Sequence, residues 1–157
     1  MISSSRHPLV LKPGLMTLEQ LKLIHGHQQF IALPDSCRPA IRKSQSLVEA
    51  YANGDAPVYG VNTGFGKLAN QRINKEQLHT LQLNLIRSHS VGVGEPLSAP
   101  IIRLMMATKA ASLARGYSGV REVVIDTLLA VHNAGLVPDV PSQGSVGASG
   151  DLAPLAH

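Results

Sequence analysis

The chain has 157 residues, of which 44% are hydrophobic and 15% are charged, a balance typical of a folded globular protein and not of a disordered one. Aromatic residues make up only 3%, so the core has to be built from aliphatic side chains, which favours packed helices. The net charge of +4 comes from scattered basic residues without interleaved aromatics, which argues against a nucleic-acid partner.

Cysteine content and hydropathy restrict the cellular setting. The single cysteine, Cys37, excludes an internal disulfide and fits a reducing compartment. There is no window of about 20 apolar residues that could span a membrane, and the first ten residues lack the apolar run of a signal peptide. We therefore expect a cytoplasmic protein with no membrane partner.

The first third of the chain predicts two short strands that alternate with two helices. Thr17 has the residue type and position of an N-cap, and the pair Pro13-Gly14 indicates a turn. The predicted strands cover residues 8–11 and 29–33, and the predicted helices cover 18–26 and about 36–52.

The rest of the chain is dominated by helical patterns, so we expect a mainly α fold. Asn74, with Gln77 three residues later, predicts a capped helix over 75–91. Ser98 and Ser118 are predicted N-caps of two further helices, which end near Gly116 and Gly135. A last apolar segment, residues 151–157, begins another helical pattern, from which we expect a single domain, 1–157, that is the N-terminal portion of a longer protein.

A first glycine-rich loop, "YGVNTGFG", covers residues 59–66. Its three glycines allow backbone conformations closed to other residues, and it carries a phenol, an amide and a hydroxyl. A wide turn or flexible connector explains the composition as well as a functional loop does. A phosphate cradle is disfavoured, because the loop lacks the Lys-Ser/Thr ending of a P-loop and the dinucleotide spacing.

A second glycine-rich loop, "GSVGASGD", covers residues 144–151. One interpretation is a tight turn with Ser149 or Asp151 as the N-cap of the helix that follows. A nucleophile elbow is excluded, because the second residue after Ser149 is Asp151 and not glycine.

The same loop also fits a backbone cyclisation. The amide nitrogen of Gly150 is unhindered and can attack the carbonyl carbon of Ala148, closing a five-membered ring with loss of water. Loss of the Ser149 hydroxyl as a second water then leaves an exocyclic methylidene. The product would be an electrophile, which none of the twenty side chains supplies.

His89 lies near the end of a predicted helix that leads into another glycine-containing loop. A histidine at a helix C-terminus is most often a dipole partner or a surface residue. The other histidines indicate no site on their own. His25 and His27 have a spacing that could touch a metal, but no third ligand is apparent nearby, so we expect no metal.

Taken together, the two glycine-rich loops and the segment "LQLNLIRSHSVGVG" resemble the aromatic amino acid ammonia-lyase family, and most of all its histidine-specific branch. The resemblance runs from about Leu11 to the last residue. It implies a mainly α lyase fold with short strands, two active-site loops and a homotetrameric full-length protein.

The resemblance also implies a reaction and its residues. Ala148, Ser149 and Gly150 would become a 4-methylidene-imidazol-5-one group, with Asp151 assisting ring formation. Tyr59 matches the base that takes the substrate's β-proton, and His89 matches the residue that meets the substrate's ring. The implied reaction removes ammonia from L-histidine and gives trans-urocanate.

Two alternatives stay open. The position of His89 is apolar in the phenylalanine-specific branch, so a histidine there favours either histidine or tyrosine as substrate, and a tyrosine ammonia-lyase or aminomutase fits as well. The other alternative is a non-catalytic, truncated helical module. The family's central helical bundle and its carboxylate-binding arginine lie outside these residues, so we expect this chain alone to be inactive or nearly so.

Overall fold

A computed structural model of the chain describes residues 7–147 and 150–157. They divide into two compact units. Unit 1 contains the described residues up to Ser46 together with Ser98–Pro138, and unit 2 contains Leu47–Leu97 together with the described residues from Asp139 to His157. Helices make up most of the regular structure, which confirms the predicted mainly α class.

The described part of the chain contains six α-helices and six strands of two to four residues. The helices are α1 (Leu18–Gly26), α2 (Arg38–Asn53), α3 (Lys75–His89), α4 (Ala99–Leu113), α5 (Glu122–Asn133) and α6 (Ala153–Ala156). The strands are β1 (Leu9–Val10), β2 (Ile31–Ala32), β3 (Val93–Pro96), β4 (Pro141–Gln143), β5 (Val146–Gly147) and β6 (Gly150–Asp151). None of the described helices is long and apolar enough to cross a membrane.

Helix α4 supplies the centre of unit 1. Its residue Ala110 packs with Ile41 and Ile125, and its residue Ala107 belongs to a second cluster with the N-terminal strands and α1. The short alanine side chains let neighbouring elements approach the helix closely, and burial of the aliphatic side chains around them drives the packing. A helix that is apolar on most sides is expected in such a buried place.

Side chains also tie the elements of unit 1 together through backbone groups. Arg103 of α4 donates to the carbonyl oxygens of Ile24 and His25, at 3.0 and 2.7 Å, and so satisfies carbonyls at the end of α1. Asn133 bonds both backbone groups of Ile31, each at 2.9 Å. β2 is therefore held by an amide side chain in addition to its parallel pairing with β1.

Unit 2 contains the two antiparallel strand pairs. β3 pairs with β4, and the Leu97 amide donates to the Val140 carbonyl at 2.8 Å just beyond them. The end of α3 and helix α6 are joined by two bonds. Ser90 Oγ donates to the Ala156 carbonyl at 3.0 Å, and the Gly92 amide donates to Nε2 of His157 at 3.0 Å.

The local capping signals were mostly confirmed. Thr17 and Gln20 form a reciprocal capping box, and Asn74 accepts from the Gln77 amide at 2.9 Å. The predicted cap at Ser118 was wrong, because α5 begins only at Glu122, after Arg121. Gly119 has a φ of +66°, a left-handed conformation that keeps the helix from starting there.

His132 of α5 is buried, with 1% of its surface exposed. Its Nδ1 lies 3.4 Å from Oδ1 of Asn133, while Nε2 has no hydrogen-bond partner among the described residues. Burial lowers the pKa of His132, the side-chain contact with Asn133 opposes the shift, and the charge of Arg103 adds to it. The neutral imidazole is therefore the form that the folded protein favours.

Acidification is expected to destabilise the protein through His132. The unfolded state binds the proton more readily, so the free energy of unfolding falls as the pH drops below about 6.5, by at most about 1.4 kcal/mol for each pH unit. The measurement is urea denaturation from pH 7.5 to 5. His132→Leu should flatten this dependence, whereas His25→Gln, which changes an exposed histidine of the same unit, should not. An unchanged pH dependence in His132→Leu would contradict the prediction.

Candidate active site

The first glycine-rich loop is a series of turns in unit 2 that presents Tyr59. The amides of Val61 and Asn62 both donate to the Val58 carbonyl, at 3.0 and 3.2 Å, which closes a turn around Tyr59 and Gly60. Gly60 has a φ of +74°, a conformation that a residue with a side chain rarely adopts. The glycine is therefore needed for the chain to reverse directly after Tyr59.

Asn62 holds this turn from inside. Its side chain is completely buried, and every polar atom of the amide is used. Oδ1 accepts from the Val58 amide at 2.7 Å, and Nδ2 donates to the carbonyls of Tyr51 and Ala56 at 3.1 and 3.0 Å. The residues on both sides of Tyr59 are thus anchored to the end of α2 by one side chain.

Tyr59 itself is exposed, with 64% of its surface accessible. Its ring meets that of Phe65 edge to face, with the ring centroids 5.7 Å apart and an interplanar angle of 78°. Such contacts orient a ring without covering it. The loop therefore fixes the backbone of Tyr59 and leaves much of its side chain open to solvent.

The second loop contains the β5–β6 strand pair. Val146 stands opposite Asp151, and Gly147 stands opposite Gly150, whose φ is +102°. Ala148 and Ser149, which join the two strands in sequence, lie outside the described residues.

The carboxylate of Asp151 lies against the backbone of Gly144. A Cβ atom added to Gly144 would overlap Oδ1 of Asp151 and lie only 2.7 Å from its Cγ. Oδ1 is buried and has no hydrogen-bond partner among the described residues. A buried acceptor without a donor lowers the stability of the fold, so a contribution to stability does not explain the position of this oxygen.

His89 is the last residue of α3. Its Nδ1 lies 2.7 Å from the Leu85 carbonyl oxygen and 3.1 Å from Oγ of Ser88. A carbonyl oxygen can only accept, so Nδ1 carries a hydrogen and, in the neutral ring, Nε2 is left as an acceptor. The imidazole is thereby held in one tautomer.

A cavity of about 390 Å³ lies within unit 2, and both the end of α3 and the second glycine-rich loop line it. His89 and Ser88 line it along with Gly147 and Gly150, the residues that flank Ala148 and Ser149 in sequence. Ser145 also lines it. A cavity of this size fits a small metabolite.

The structure brings some of the predicted site residues together and not others. Gly150 and His89 share the cavity, and Asp151 follows Gly150 directly. Tyr59 is not among the described residues that line it. Asp151 is not the N-cap of α6, because Leu152 occupies that position. Among the described residues, no group of three or more His, Cys, Asp or Glu side chains could hold a metal ion.

Sequence reasoning assigned no role to Asn62 or to Gly144. The signal for Asn62 was a short amide side chain inside a glycine-rich turn, which often bonds local backbone groups. No local signal existed for Gly144, because its contact with Asp151 depends on how the chain reverses.

Replacing Asn62 is expected to loosen the loop that carries Tyr59. Asn62→Ala removes the donor to the carbonyls of Tyr51 and Ala56 and the acceptor of the Val58 amide, so the free energy of unfolding should fall by about 1–3 kcal/mol. The measurement is urea denaturation, with hydrogen exchange of the Val58 amide as a local readout. The matched control is Asn70→Ala, an exposed amide shortly after this loop, which should change stability by about 0.5 kcal/mol or less. Equal effects of the two variants would contradict the prediction.

Comparison with known proteins places the site in a family context. The chain matches the family model for aromatic amino acid lyases over residues 16–157. It is 54% identical over 147 residues to a histidine ammonia-lyase from Aromatoleum aromaticum, a match that covers 94% of this chain and 28% of that protein. It is 51% identical over 150 residues to a histidine ammonia-lyase from Rhodospirillum rubrum, covering 96% of this chain and 29% of the relative.

Solved structures with the same fold include two enzymes of different activity. A histidine ammonia-lyase from Trypanosoma cruzi is 38% identical with a TM-score of 0.82, covering 94% of this chain and 28% of the other. A tyrosine aminomutase from Streptomyces globisporus is 32% identical with a TM-score of 0.87, covering 96% and 28%. The chain therefore spans less than a third of the length of these relatives. Since the family match extends over most of its residues, this chain belongs to the aromatic amino acid lyase family.

Proposed function

We propose that this chain supplies the electrophile-forming segment, the base and one ring contact of an ammonia-lyase that acts on L-histidine and releases trans-urocanate. The observation that carries the proposal is the cavity in which His89 faces the same space as Gly147 and Gly150, the neighbours of Ala148 and Ser149. The identity of 54% with a histidine ammonia-lyase supports the substrate.

The residues present fit the prosthetic group. A Cβ atom at Gly150 would have no neighbour within 4 Å among the described residues, so the space beside its Cα is open. In the proposed closure the Gly150 amide nitrogen attacks the Ala148 carbonyl carbon. The carbonyl oxygen leaves as water with the amide hydrogens of Gly150 and Ser149, and a double bond forms between the Ala148 carbon and the Ser149 nitrogen. The Cα hydrogen and hydroxyl of Ser149 leave as a second water, which creates the methylidene carbon.

Asp151 is proposed to assist this closure. An amide nitrogen that attacks a carbonyl must lose its proton, and a carboxylate oxygen can accept it. Oδ1 of Asp151 is buried and uses none of its acceptor capacity on the described residues, and Asp151 is bonded directly to Gly150. Its unused lone pairs are therefore available for that proton.

The 4-methylidene-imidazol-5-one, once formed, supplies an electrophile where amino-acid side chains offer only nucleophiles, acids and bases. Tyr59 is proposed to take the β-proton of the substrate. Its turn is rigidly held by Asn62 while its side chain remains accessible, and general base catalysis depends on such placement.

His89 is proposed to contact the substrate's ring. With Nδ1 engaged by the Leu85 carbonyl, Nε2 of the neutral imidazole is an acceptor. It can accept a hydrogen bond from the N–H of an imidazole or the O–H of a phenol, whereas a phenyl ring offers no donor. The contact therefore favours histidine or tyrosine over phenylalanine.

A second candidate function follows from the tyrosine aminomutase match, because His89 would accept equally well from a phenol. A tyrosine ammonia-lyase or a tyrosine aminomutase would use the same Tyr59 and the same Ala148-Ser149-Gly150 segment. The non-catalytic helical module differs from both, since it needs no electrophile. The leading proposal also includes a single domain over 1–157, a cytoplasmic location and homotetrameric assembly of the full-length protein.

The proposal is tested in a chimera in which residues 16–157 of this chain replace the matching segment of the Aromatoleum aromaticum histidine ammonia-lyase. The expected intact mass is lower than the encoded mass by two waters, and the chimera should form urocanate, which is followed by its ultraviolet absorbance. Ser149→Ala should lose both the mass change and turnover. Tyr59→Phe should keep the mass change and lower kcat by about a hundredfold or more.

The controls separate the parts of this proposal. A chimera with its encoded mass would overturn ring formation from this segment, and a Tyr59→Phe chimera with full turnover would overturn the base assignment. Borohydride should inactivate the chimera but not label Ser149→Ala, because only the electrophile traps a nucleophile. The 157 residues alone should give no measurable urocanate, and turnover by them would contradict the expectation that other residues complete the site.

His89 is expected to set the preference for a hydrogen-bonding ring. In the chimera, His89→Leu should lower kcat/KM for histidine by about tenfold or more, since a hydrogen bond to a buried polar group is worth about 1–3 kcal/mol. The kcat/KM for phenylalanine should not fall, because a phenyl ring makes no such hydrogen bond. The control is Ser88→Ala, which removes a neighbouring hydroxyl but leaves the bond between His89 and Leu85. Tyrosine turnover above histidine turnover in the parent chimera would favour the second candidate function.

A further inference from the structure

We propose that Gly144 is a positioning residue for Asp151: the absence of a side chain at residue 144 creates the space that holds the Asp151 carboxylate beside the second glycine-rich loop. The consequence for ring formation rests on the function proposed above. The steric relation between the two residues does not depend on that function.

Space, and not backbone conformation, requires glycine at this position. Gly144 does not have a positive φ, so a left-handed backbone is not what requires glycine there. A Cβ atom there would overlap Oδ1 of Asp151 and lie 2.6 Å from Oδ2, and Cβ atoms in real proteins essentially never approach other atoms closer than 3.0 Å. Any side chain at residue 144 therefore displaces the carboxylate or the strand that carries it.

The strand pairing makes the backbone of Asp151 difficult to shift. Asp151 is paired with Val146, two residues after Gly144, and Gly150 is paired with Gly147. A side chain at 144 would most easily be accommodated by turning the carboxylate away through its χ1 rotation, because that breaks no backbone hydrogen bond. Gly144→Ala thus changes where the carboxylate lies more than where the backbone lies.

The contact does not behave like ordinary packing. A carboxylate oxygen that is buried without a hydrogen-bond donor is unfavourable, and an apolar residue at 151 or a larger residue at 144 would remove that cost. The arrangement instead keeps an acceptor without a donor among the described residues, on the residue directly after Gly150. This is where a proton acceptor is needed if the Gly150 nitrogen is the nucleophile.

The steric part is tested by a double-mutant cycle on the full 157-residue chain. Gly144→Ala should shift the melting temperature by several degrees, because the added Cβ atom displaces the Asp151 carboxylate. In the Asp151→Ala background the same change should have little effect, because the carboxylate is gone. Gly26→Ala is the matched control, since a Cβ atom there meets nothing within 4 Å. Additive effects of the two changes would overturn the proposal.

Gly144→Ala is also informative if it fails to fold. In that case, folding of the double variant supports the proposal. Failure of the double variant to fold, where Asp151→Ala alone folds, overturns it.

The positioning role has a second readout, the rate at which the newly made chimera loses two waters, followed by intact mass. Gly144→Ala should slow this loss by about tenfold or more, because small misplacements of a reacting group are costly. In an Asp151→Ala background, Gly144→Ala should not slow the loss of water further. Gly26→Ala should leave the rate unchanged. An unchanged rate in Gly144→Ala overturns the positioning role. If the parent chimera loses no water, the proposed function fails instead, and the thermal cycle alone decides whether Gly144 positions Asp151.

Discussion

The antiparallel pairing of β5 with β6 is the constraint on which the candidate site depends. Two residue pairs, Val146 with Asp151 and Gly147 with Gly150, fix both ends of the segment that contains Ala148 and Ser149. The same pairing places Gly147 and Gly150 on the wall of the cavity that His89 lines. It also brings the Asp151 carboxylate over Gly144. Three features of the site therefore follow from one short ladder of strands.

The glycines of the two loops serve different physical purposes, which composition alone does not distinguish. Gly60 is required by its backbone, since its φ of +74° reverses the chain after Tyr59. Gly64 is required by space, because a Cβ atom there would lie 2.5 Å from Cβ of Leu68. Gly144 is also a spatial case, but its neighbour is a carboxylate and not an apolar side chain. Only in that last case does the space accommodate a group that can take part in chemistry.

Local signals in the sequence predicted local structure well and distant contacts poorly. The capping box of Thr17 and Gln20 joins residues three apart, so it can be recognised from spacing alone. Strands of two residues, such as β5 and β6, are too short to show a period, and none of β3 to β6 was predicted. The cap at Ser118 failed because a left-handed Gly119 follows it. The candidate site residues were predicted from the resemblance to a family, whereas the contact between Gly144 and Asp151 depends on how the chain folds back and has no local signal.

Two buried side-chain polar atoms without hydrogen-bond partners occur among the described residues, and each has a different explanation. Nε2 of His132 belongs to an imidazole that burial keeps neutral, so its cost is that of one unpaired acceptor in a core of helices. Oδ1 of Asp151 belongs to a short, glycine-rich strand pair whose other three residues are exposed. Proteins tend to break local rules where function demands it. Of the two atoms, only Oδ1 of Asp151 belongs to a residue next to a proposed reacting atom, the Gly150 nitrogen. A chemical role therefore explains this unpartnered atom better than packing does.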